Sequence, residues 1–319
     1  MKMNLLPYRI RLTRIVLIPL IAGSLILETG CFKAEKKAAQ DLVRTGSSTS
    51  DQLAKFYDTL VADSEATLNF VGFENVREGK DLSTDAKFKN AAAEFKTERE
   101  AVAARAQMAR AMKGVYDSLG KLIDYDAAGD VTASVVNLKK EIENVSKKKL
   151  PKAAGVDPEA ILKKATTILV TWIQLKQFHK NAPRAEEVLD GVMNLFVSEK
   201  SAYVNIIQDF NEHAYTNAKY FVDNDLALNS SVYAKSFEVF GLQYTQIPPG
   251  DTLTDPEKLK KHRADIKSFT SQWLVIKKND LNDAATKAPD AVSSGLAELK
   301  KAHEDFNHGK YKKPEEGSD

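Results

Sequence analysis

The sequence predicts an all-α protein, folded as an elongated helical bundle of about six to eight helices that includes one or two long helices. Apolar residues recur at intervals of three and four along most of the chain, which is the spacing of an amphipathic helix. No segment of the sequence shows a convincing strand pattern, in which apolar and polar residues alternate. With 43% hydrophobic residues and only ten prolines, the composition is that of a chain that folds.

Three helices are predicted in the first part of the chain. The first begins at Ser50 or the residue after it, both good N-caps, and residues 72–81 break its pattern. The second begins near Ser83 and runs to about Ile123, so at a rise of 1.5 Å per residue it would be about 60 Å long. A shorter helix follows over residues 131–149 and ends in three lysines, whose charge suits a helix C-terminus.

The best candidate for a boundary within the predicted helical domain, residues 51–308, follows the third helix. Pro151 and Pro158 interrupt the helical pattern there, with a glycine between them. The helical domain would then consist of two halves, residues 51–150 and 157–308.

Four later helix starts share a capping pattern that includes proline. Residues 157–159 (Asp-Pro-Glu) and 254–257 (Thr-Asp-Pro-Glu) have it in full, and residues 181–183 and 287–289 have it more loosely. Residues 309–319 are predicted to be a loose tail. The apolar stripe of the helix that starts at 254–257 consists of Leu259, Ile266, Phe269, Trp273 and Ile276.

Residues 1–30 have the pattern of a secretory signal peptide. The first fourteen residues contain four basic residues and no acidic one, and an uncharged, mostly apolar run follows over residues 15–27. As a helix this run would span roughly 20 Å, which is short of the ~30 Å hydrocarbon core of a bilayer. A short signal anchor that is not removed is the alternative interpretation.

The apolar run closes with the sequence Leu-Glu-Thr-Gly-Cys, which ends at Cys31. This sequence resembles the lipobox of bacterial lipoproteins, in which a small residue precedes an invariant cysteine that receives a diacylglycerol. Gly30 and Cys31 match that pattern, whereas Glu28 stands where a branched aliphatic residue is usual. The resemblance implies cleavage before Cys31 and lipidation of its sulfur, and it indicates no more specific family.

The composition around Cys31 supports the same interpretation. Cys31 is the only cysteine of the chain, so no intramolecular disulfide can form even in an oxidising compartment. Residues 31–50 are predicted to be the lipidated cysteine and a flexible tether; residues 33–40 are compatible with a helix, but Gly-Ser-Ser-Thr-Ser at 46–50 has the composition of a flexible linker. Phe32 stands where aspartate retains many lipoproteins at the inner membrane, which in a diderm bacterium favours the outer membrane.

The charge balance argues against nucleic acid as a partner. The whole chain has 46 basic and 44 acidic residues, and without residues 1–30, which contain four basic residues and one acidic residue, 42 and 43 remain. A nearly neutral domain lacks the basic excess that phosphate backbones require.

The search for catalytic and metal-binding motifs finds little. The nearest metal-ligand sets are two clusters, one of Asp209, Glu212 and His213 and one of His303, Glu304, Asp305 and His308. Ser118 and Lys121 match the Ser-x-x-Lys of penicillin-recognising enzymes, but the companion motifs Ser-Asp-Asn and Lys-Thr-Gly do not occur in the sequence. The sequence therefore predicts no enzyme activity and no cofactor.

One segment, residues 215–244, is unusually rich in aromatic residues. It is a candidate interaction surface or ligand cleft, and the alternative is that its rings fill the end of the bundle. Its seven aromatic residues are Tyr215, Tyr220, Phe221, Tyr233, Phe237, Phe240 and Tyr244.

Two functions remain open from the sequence. The first is a lipid-anchored lipoprotein of the bacterial cell envelope, with a non-enzymatic structural or protein-interaction role. Its partners would be the membrane, through the lipid on Cys31, and an unknown envelope protein. The second is a solute- or metal-binding helical-bundle lipoprotein, with its site in the aromatic segment or in the carboxylate-histidine clusters.

Overall fold

The all-α class is confirmed. The computed structural model describes residues 31–124, 128–172, 178–224, 238–240 and 256–307, of which 90% are helical. This described part contains six helices and no strand. The predicted leader, residues 1–30, and the predicted tail, residues 309–319, lie outside the described residues.

Four of the six helices are long. The helices α1, α2, α5 and α6 contain 47, 39, 46 and 52 residues, respectively, whereas α3 and α4 contain 19 and 15. Their bounds are α1 Cys31–Arg77, α2 Ala86–Asp124, α3 Ala128–Ser146, α4 Pro158–Trp172, α5 Phe178–Asp223 and α6 Pro256–Asn307.

The chain forms two compact units, and their boundary is not the predicted one. The larger unit contains α1 to α4, α5 as far as His213, and α6 from Asp280 onward, and the described residues of the smaller unit are 214–224, 238–240 and 256–279. The predicted halves, residues 51–150 and 157–308, were wrong because the two sides of that boundary share one hydrophobic core. Buried residues of that core include Val102, Val135, Leu162 and Val188.

The helices α1 and α2 pack against each other as an antiparallel pair. Ser47 donates a hydrogen bond to Asp117 over 2.7 Å, and Arg110 donates one to Asp58 over 2.5 Å, so residue numbers rise along α1 as they fall along α2. The turn between the helices follows from local chemistry. Gly79 adopts a positive φ of 74°, which ends α1 in the left-handed conformation that glycine tolerates best.

The flexible tether predicted for residues 31–50 is wrong, because these residues belong to α1. Gly46 lies so close to the Tyr116 ring of α2 that a methyl group at this position would overlap the ring. Thr49 and Ser50 are buried as well. Small residues give a linker its freedom, but they also allow two helices to approach closely, and here the packing against α2 decides between the two outcomes.

The helix break predicted at residues 287–289 is also absent, since α6 continues through Pro289. Proline removes the hydrogen bond to the carbonyl of Ala285 and costs about 3 kcal/mol within a helix. The apolar face continues on both sides of the proline and is buried at Ala285, Leu296 and Leu299. Burial of this face therefore outweighs the local preference for a break.

In the larger unit, α5 and α6 are antiparallel to each other. Lys300 of α6 forms a 2.7 Å ion pair with Asp190 of α5. Lys200, later in α5, forms an ion pair with Asp290, which is earlier in α6. None of the helices in the described ranges is long and apolar enough to cross a membrane.

Candidate functional site

The most unusual site of the larger unit is an ion pair within its core. Arg105 of α2 and Glu199 of α5 both have 0% exposed side chains. The Nε of Arg105 donates a hydrogen bond to Oε2 of Glu199 over 2.6 Å, and the Nη2 of Arg105 donates a second one to Oε1. The two parallel hydrogen bonds make the pair bidentate, which is the strongest geometry for arginine and a carboxylate.

Further hydrogen bonds connect the ion pair to two other segments, α1 and the loop after α3. The guanidinium donates to the carbonyl oxygen of Ala101 over 2.7 Å and to that of Lys148, in the loop after α3, over 3.2 Å. The hydroxyl of Tyr203 donates to Glu199 over 2.6 Å, and the hydroxyls of Tyr203 and Tyr57 lie 3.3 Å apart. We call Arg105, Glu199, Tyr203 and Tyr57 the buried polar network; it joins α1, α2, α5 and the loop after α3.

Burial and charge shift the pKa values of the arginine and the two tyrosines in the buried polar network. Burial disfavours the charged form of Arg105, but the hydrogen bonds and charge of Glu199 outweigh this effect, so the pKa of Arg105 is raised. Burial, together with the negative charge of Glu199, raises the pKa of Tyr57, and burial is also the main cause of the raised pKa of Tyr203. The arginine and the two tyrosines therefore keep their protons near neutral pH.

A second charged cluster involves the same two long helices, α2 and α5. Lys152, in the loop between α3 and α4, forms ion pairs with Glu98 of α2 over 3.0 Å and with Asp209 of α5 over 2.8 Å. Its Nζ also lies 5.6 Å from the centre of the Phe95 ring. This lysine fixes the loop to two long helices at once.

The histidines predicted as metal ligands have other partners. His213 Nδ1 lies 3.2 Å from both carboxylate oxygens of Glu74, and His303 Nε2 lies 2.7 Å from the Tyr116 hydroxyl. His303 is fully buried, and burial lowers its pKa to about 4. Among the described residues, no group of three or more histidine, cysteine, aspartate and glutamate side chains is arranged to hold a metal ion. His308 lies outside them.

The serine and the lysine of the Ser-x-x-Lys match both lie near the C-terminal end of α2. Ser118 is buried, and its hydroxyl donates a hydrogen bond to the carbonyl oxygen of Val115 over 2.8 Å. Lys121 forms a 2.8 Å ion pair with Asp130. The serine and the lysine thus have separate partners.

Four of the seven aromatic residues in the candidate interaction segment lie in the smaller unit. Phe221 and Phe240 are buried, and Tyr215 and Tyr220 are half-buried. The rings of Tyr215 and Phe240 meet edge to face with centroids 6.4 Å apart, and Lys278 lies 4.5 Å above the Tyr215 ring. These four therefore contribute to packing within the unit. The remaining three, Tyr233, Phe237 and Tyr244, lie outside the described residues.

Two open cavities lie between helices of the larger unit. One, of about 150 Å³, is lined by residues of α1 and α6 that include Leu42 and Phe306. The other, of about 250 Å³, is lined by residues of α4, α5 and α6 that include Lys164, Asp190 and Lys300. Neither cavity is lined by the buried polar network or by the four described aromatic residues of the candidate segment.

No known protein family matches the chain, and no curated protein or solved structure shows significant similarity to it. The case for function therefore depends on the residues and the geometry of this chain alone.

Sequence reasoning missed the buried polar network, although a signal was present. Arg105 lies in the apolar stripe of α2 between Val102 and Ala109, and Glu199 lies between Phe196 and Tyr203 in the stripe of α5. Each of these apolar stripes contains a charged residue, and the two residues have opposite charges. Charged side chains are rarely buried unless they are paired, so this pattern indicates a buried ion pair.

Proposed function

We propose that the protein is a lipid-anchored lipoprotein of the bacterial cell envelope, whose helical bundle has a non-enzymatic structural or protein-interaction role. The leader pattern of residues 1–30 and the lipobox-like residues before Cys31 support the anchor. The core of the larger unit supports the structural role. In that core the charges of Arg105 and Glu199 are paired with each other, and the hydroxyl of Tyr203 donates a further hydrogen bond to the carboxylate, an arrangement that suits a structural role.

The observation that carries the proposal is the unbroken helix between Cys31 and the core. The helix α1 includes Cys31 and continues without a break to Arg77, and Ala38 of this helix is buried in the larger unit. Ala38 lies seven positions after Cys31, which along a helix is a rise of roughly 10 Å. A lipid on Cys31 would therefore hold the larger unit close to the membrane surface, since no flexible tether intervenes.

A short, rigid link to the membrane suits a protein whose role depends on where it is held. A lipid anchor confines the bundle to a layer next to the membrane, which raises its effective concentration toward other envelope proteins. Several acyl chains on one cysteine give durable attachment, because each buried methylene contributes about 0.8 kcal/mol. We infer that the partner is another protein of the envelope, recognised by exposed helix faces.

The test is mass spectrometry of the mature N-terminus after expression of the full chain in a diderm bacterium. The expected mature protein begins at Cys31, carries acyl chains and fractionates with membranes. The Cys31→Ser variant should lack the lipid and keep the leader, and Phe32→Asp should keep the lipid but move the protein to the inner membrane. A mature chain that begins elsewhere, or that lacks acyl mass, would refute the anchor.

Crosslinking of the wild-type protein in intact cells, followed by capture, tests the interaction role. We expect a defined crosslinked protein that is lost, or much reduced, when Cys31→Ser releases the bundle from the membrane. A lipidated protein without any reproducible crosslinked partner would refute the interaction role and leave the anchor intact.

A further inference from the structure

The smaller unit exposes large apolar side chains on one helix. Phe269, Val275 and Ile276 of α6 have exposed fractions of 55%, 46% and 53%, respectively. Phe269 and Ile276 are seven residues apart, so they lie on one face of the helix, two turns from each other. The sequence analysis placed Phe269 and Ile276 in a core-facing stripe, and the structure shows that they face outward instead.

The apolar face is held rigid by an aromatic pair. Phe269 stacks on Trp273 with ring centroids 6.2 Å apart and an angle of 21° between the rings. The indole Nε1 of Trp273 donates a 3.1 Å hydrogen bond to the carbonyl oxygen of Phe240, and this bond holds the indole ring in place. We call Phe269, Trp273, Val275 and Ile276 the apolar patch. Its surface is preformed, so a partner would not need to order it.

The segment that contains the apolar patch carries an excess of positive charge. Residues 256–279 contain seven basic and two acidic residues, a net charge of +5, whereas the whole chain carries +2 and the rest of it therefore −3. Lys260 and Lys261, two to three turns before the patch, are exposed. Lys277 follows the patch, with its Nζ 4.9 Å from the centre of the Trp273 ring.

The apolar patch and the excess of positive charge together indicate the chemistry of the surface that this helix face binds. Two copies of the segment would repel each other, since each carries +5. An anionic bilayer offers negative headgroups to the lysines and an interfacial zone that suits tryptophan, phenylalanine and isoleucine. We propose that the exposed face of α6 within residues 256–279 binds the surface of an anionic phospholipid bilayer, with the apolar patch in the headgroup region.

The contact is independent of the lipid anchor assigned above, because it uses side chains far along the chain from Cys31. Each lysine near an anionic surface strengthens the binding, and this contribution falls as salt screens the charges. On the opposite side of the helix, Leu274 is fully buried in the described structure. Substitutions on the outer face therefore leave the packing of the helix in place.

A polarity-sensitive fluorophore tests the proposal in the full chain. The Cys31→Ser variant has no other cysteine, so Gln272→Cys provides a single site for an NBD label on the exposed face, next to Trp273. Thr97→Cys in the same background places the label at an exposed position of α2 as the matched control. Vesicles of phosphatidylglycerol and phosphatidylcholine in equal parts are the probe, and pure phosphatidylcholine vesicles are the reference.

The expected result is a blue shift and an emission increase of about twofold at position 272 with the anionic vesicles, and little change at position 97. In 0.5 M salt the anionic vesicles should produce a smaller change. In the labelled chain, Phe269→Ser with Ile276→Ser should weaken the apparent vesicle affinity by about tenfold or more. Lys260→Glu with Lys261→Glu should weaken it as well, and circular dichroism verifies that both variants are folded.

Three outcomes would overturn the proposal. An unchanged emission at position 272 with anionic vesicles would show that this face does not enter the bilayer, and an acidic protein would then be the better occupant. An equal change at position 97 would show that the label reports unspecific association. Wild-type affinity in both folded double variants would exclude the apolar patch and the lysines as the contact. Because every chain carries Cys31→Ser, none of these outcomes bears on lipidation.

Discussion

Arg105 and Glu199 are separated by 94 residues in the chain and meet in the core of the larger unit, with the arginine Nε 2.6 Å from a carboxylate oxygen. Both side chains are inaccessible to solvent. Removal from water costs each ion several kcal/mol, and only the mutual attraction and the additional hydrogen bonds offset that cost. An arrangement of α2 and α5 that separated the two side chains would leave buried charges without a partner. The pair therefore favours one register between the two helices.

The first prediction concerns this pair. Arg105→Met or Glu199→Leu alone should destabilise the protein by about 3 to 5 kcal/mol, because each leaves one uncompensated buried charge. The double variant should recover most of that loss, since two apolar side chains replace the pair. Urea unfolding followed by circular dichroism measures the difference.

The control for this prediction is the exposed ion pair between Arg110 and Asp58, whose side chains are 43% and 50% exposed. Arg110→Ala should cost about 1 kcal/mol or less, because solvent screens the pair. If Arg105→Met were as mild as Arg110→Ala, the buried pair would not hold the helices in register.

The second prediction compares two glycines within helices. Gly46→Ala should destabilise the protein by about 1 to 3 kcal/mol, since the added methyl group overlaps the Tyr116 ring. Gly114→Ala should instead stabilise it by about 0.5 to 1 kcal/mol, because no atom lies within 4 Å of the new methyl group and alanine favours a helix. Thermal unfolding of the two variants gives the sign of each effect. A stabilising Gly46→Ala would mean that residues 46–50 are indeed a loose tether.

The sequence was sufficient for the class of fold but not for the ends of the helices. The all-α class and the long second helix followed from the three- and four-residue spacing, which is local information. The start of α1 and the passage of α6 through Pro289 did not follow, because each depends on burial against another helix. Local preferences of glycine and proline amount to about 1 and 3 kcal/mol, which an extended buried face exceeds.

The candidate sites show the same limit. Phe269 and Ile276 have the spacing of a core stripe, and only the structure shows that this face of α6 is exposed. Arg105 and Glu199 were each visible as a charge in an apolar stripe, but their pairing depends on the register between α2 and α5. Periodicity indicates that a helix has an apolar face and does not indicate what covers that face.

The third prediction is a loss of stability in mild acid that depends on His303. Burial lowers the pKa of His303 from 6.5 to about 4, so below pH 6.5 the unfolded chain binds a proton that the folded protein does not bind. Stability should therefore fall between pH 6.5 and pH 4, by at most about 3 kcal/mol from this residue. His303→Gln should flatten that part of the pH profile of unfolding.

His213 provides a matched control with the opposite sign. The hydrogen bond that the protonated ring of His213 donates to Glu74 is the main cause of its raised pKa. Its contribution to stability is thus complete below pH 6.5 and is lost as the pH rises through the folded pKa. His213→Gln should lower stability in mild acid and change it little at high pH. The same pH profile in both variants would contradict the assignment to buried His303.

The fourth prediction concerns Asp63 of α1. Burial raises its pKa from 3.8 to about 7, so above pH 7 the folded protein holds a carboxylate in an unfavourable environment. Between pH 4 and pH 7 the folded protein binds more protons than the unfolded chain, and stability falls as the pH rises. Asp63→Asn should therefore stabilise the protein at pH 8, by at most about 4 kcal/mol, and have little effect at pH 4. Asp58→Asn, on the same helix but exposed, should not stabilise it at either pH.

The last prediction concerns the one residue that departs from the lipobox pattern. If lipidation occurs at Cys31, Glu28 places a charge where the pattern has a branched aliphatic side chain, and Glu28→Leu should increase the fraction of chains that are lipidated and cleaved. Pulse labelling followed by gel electrophoresis measures that fraction.

Glu28→Gln removes the charge without supplying the aliphatic shape, so the comparison separates the two requirements. Residue 28 precedes the mature chain, so the processed wild-type protein and both processed variants should have the same unfolding temperature. Unchanged processing in Glu28→Leu, together with normal export, would mean that Cys31 is not read as a lipobox cysteine.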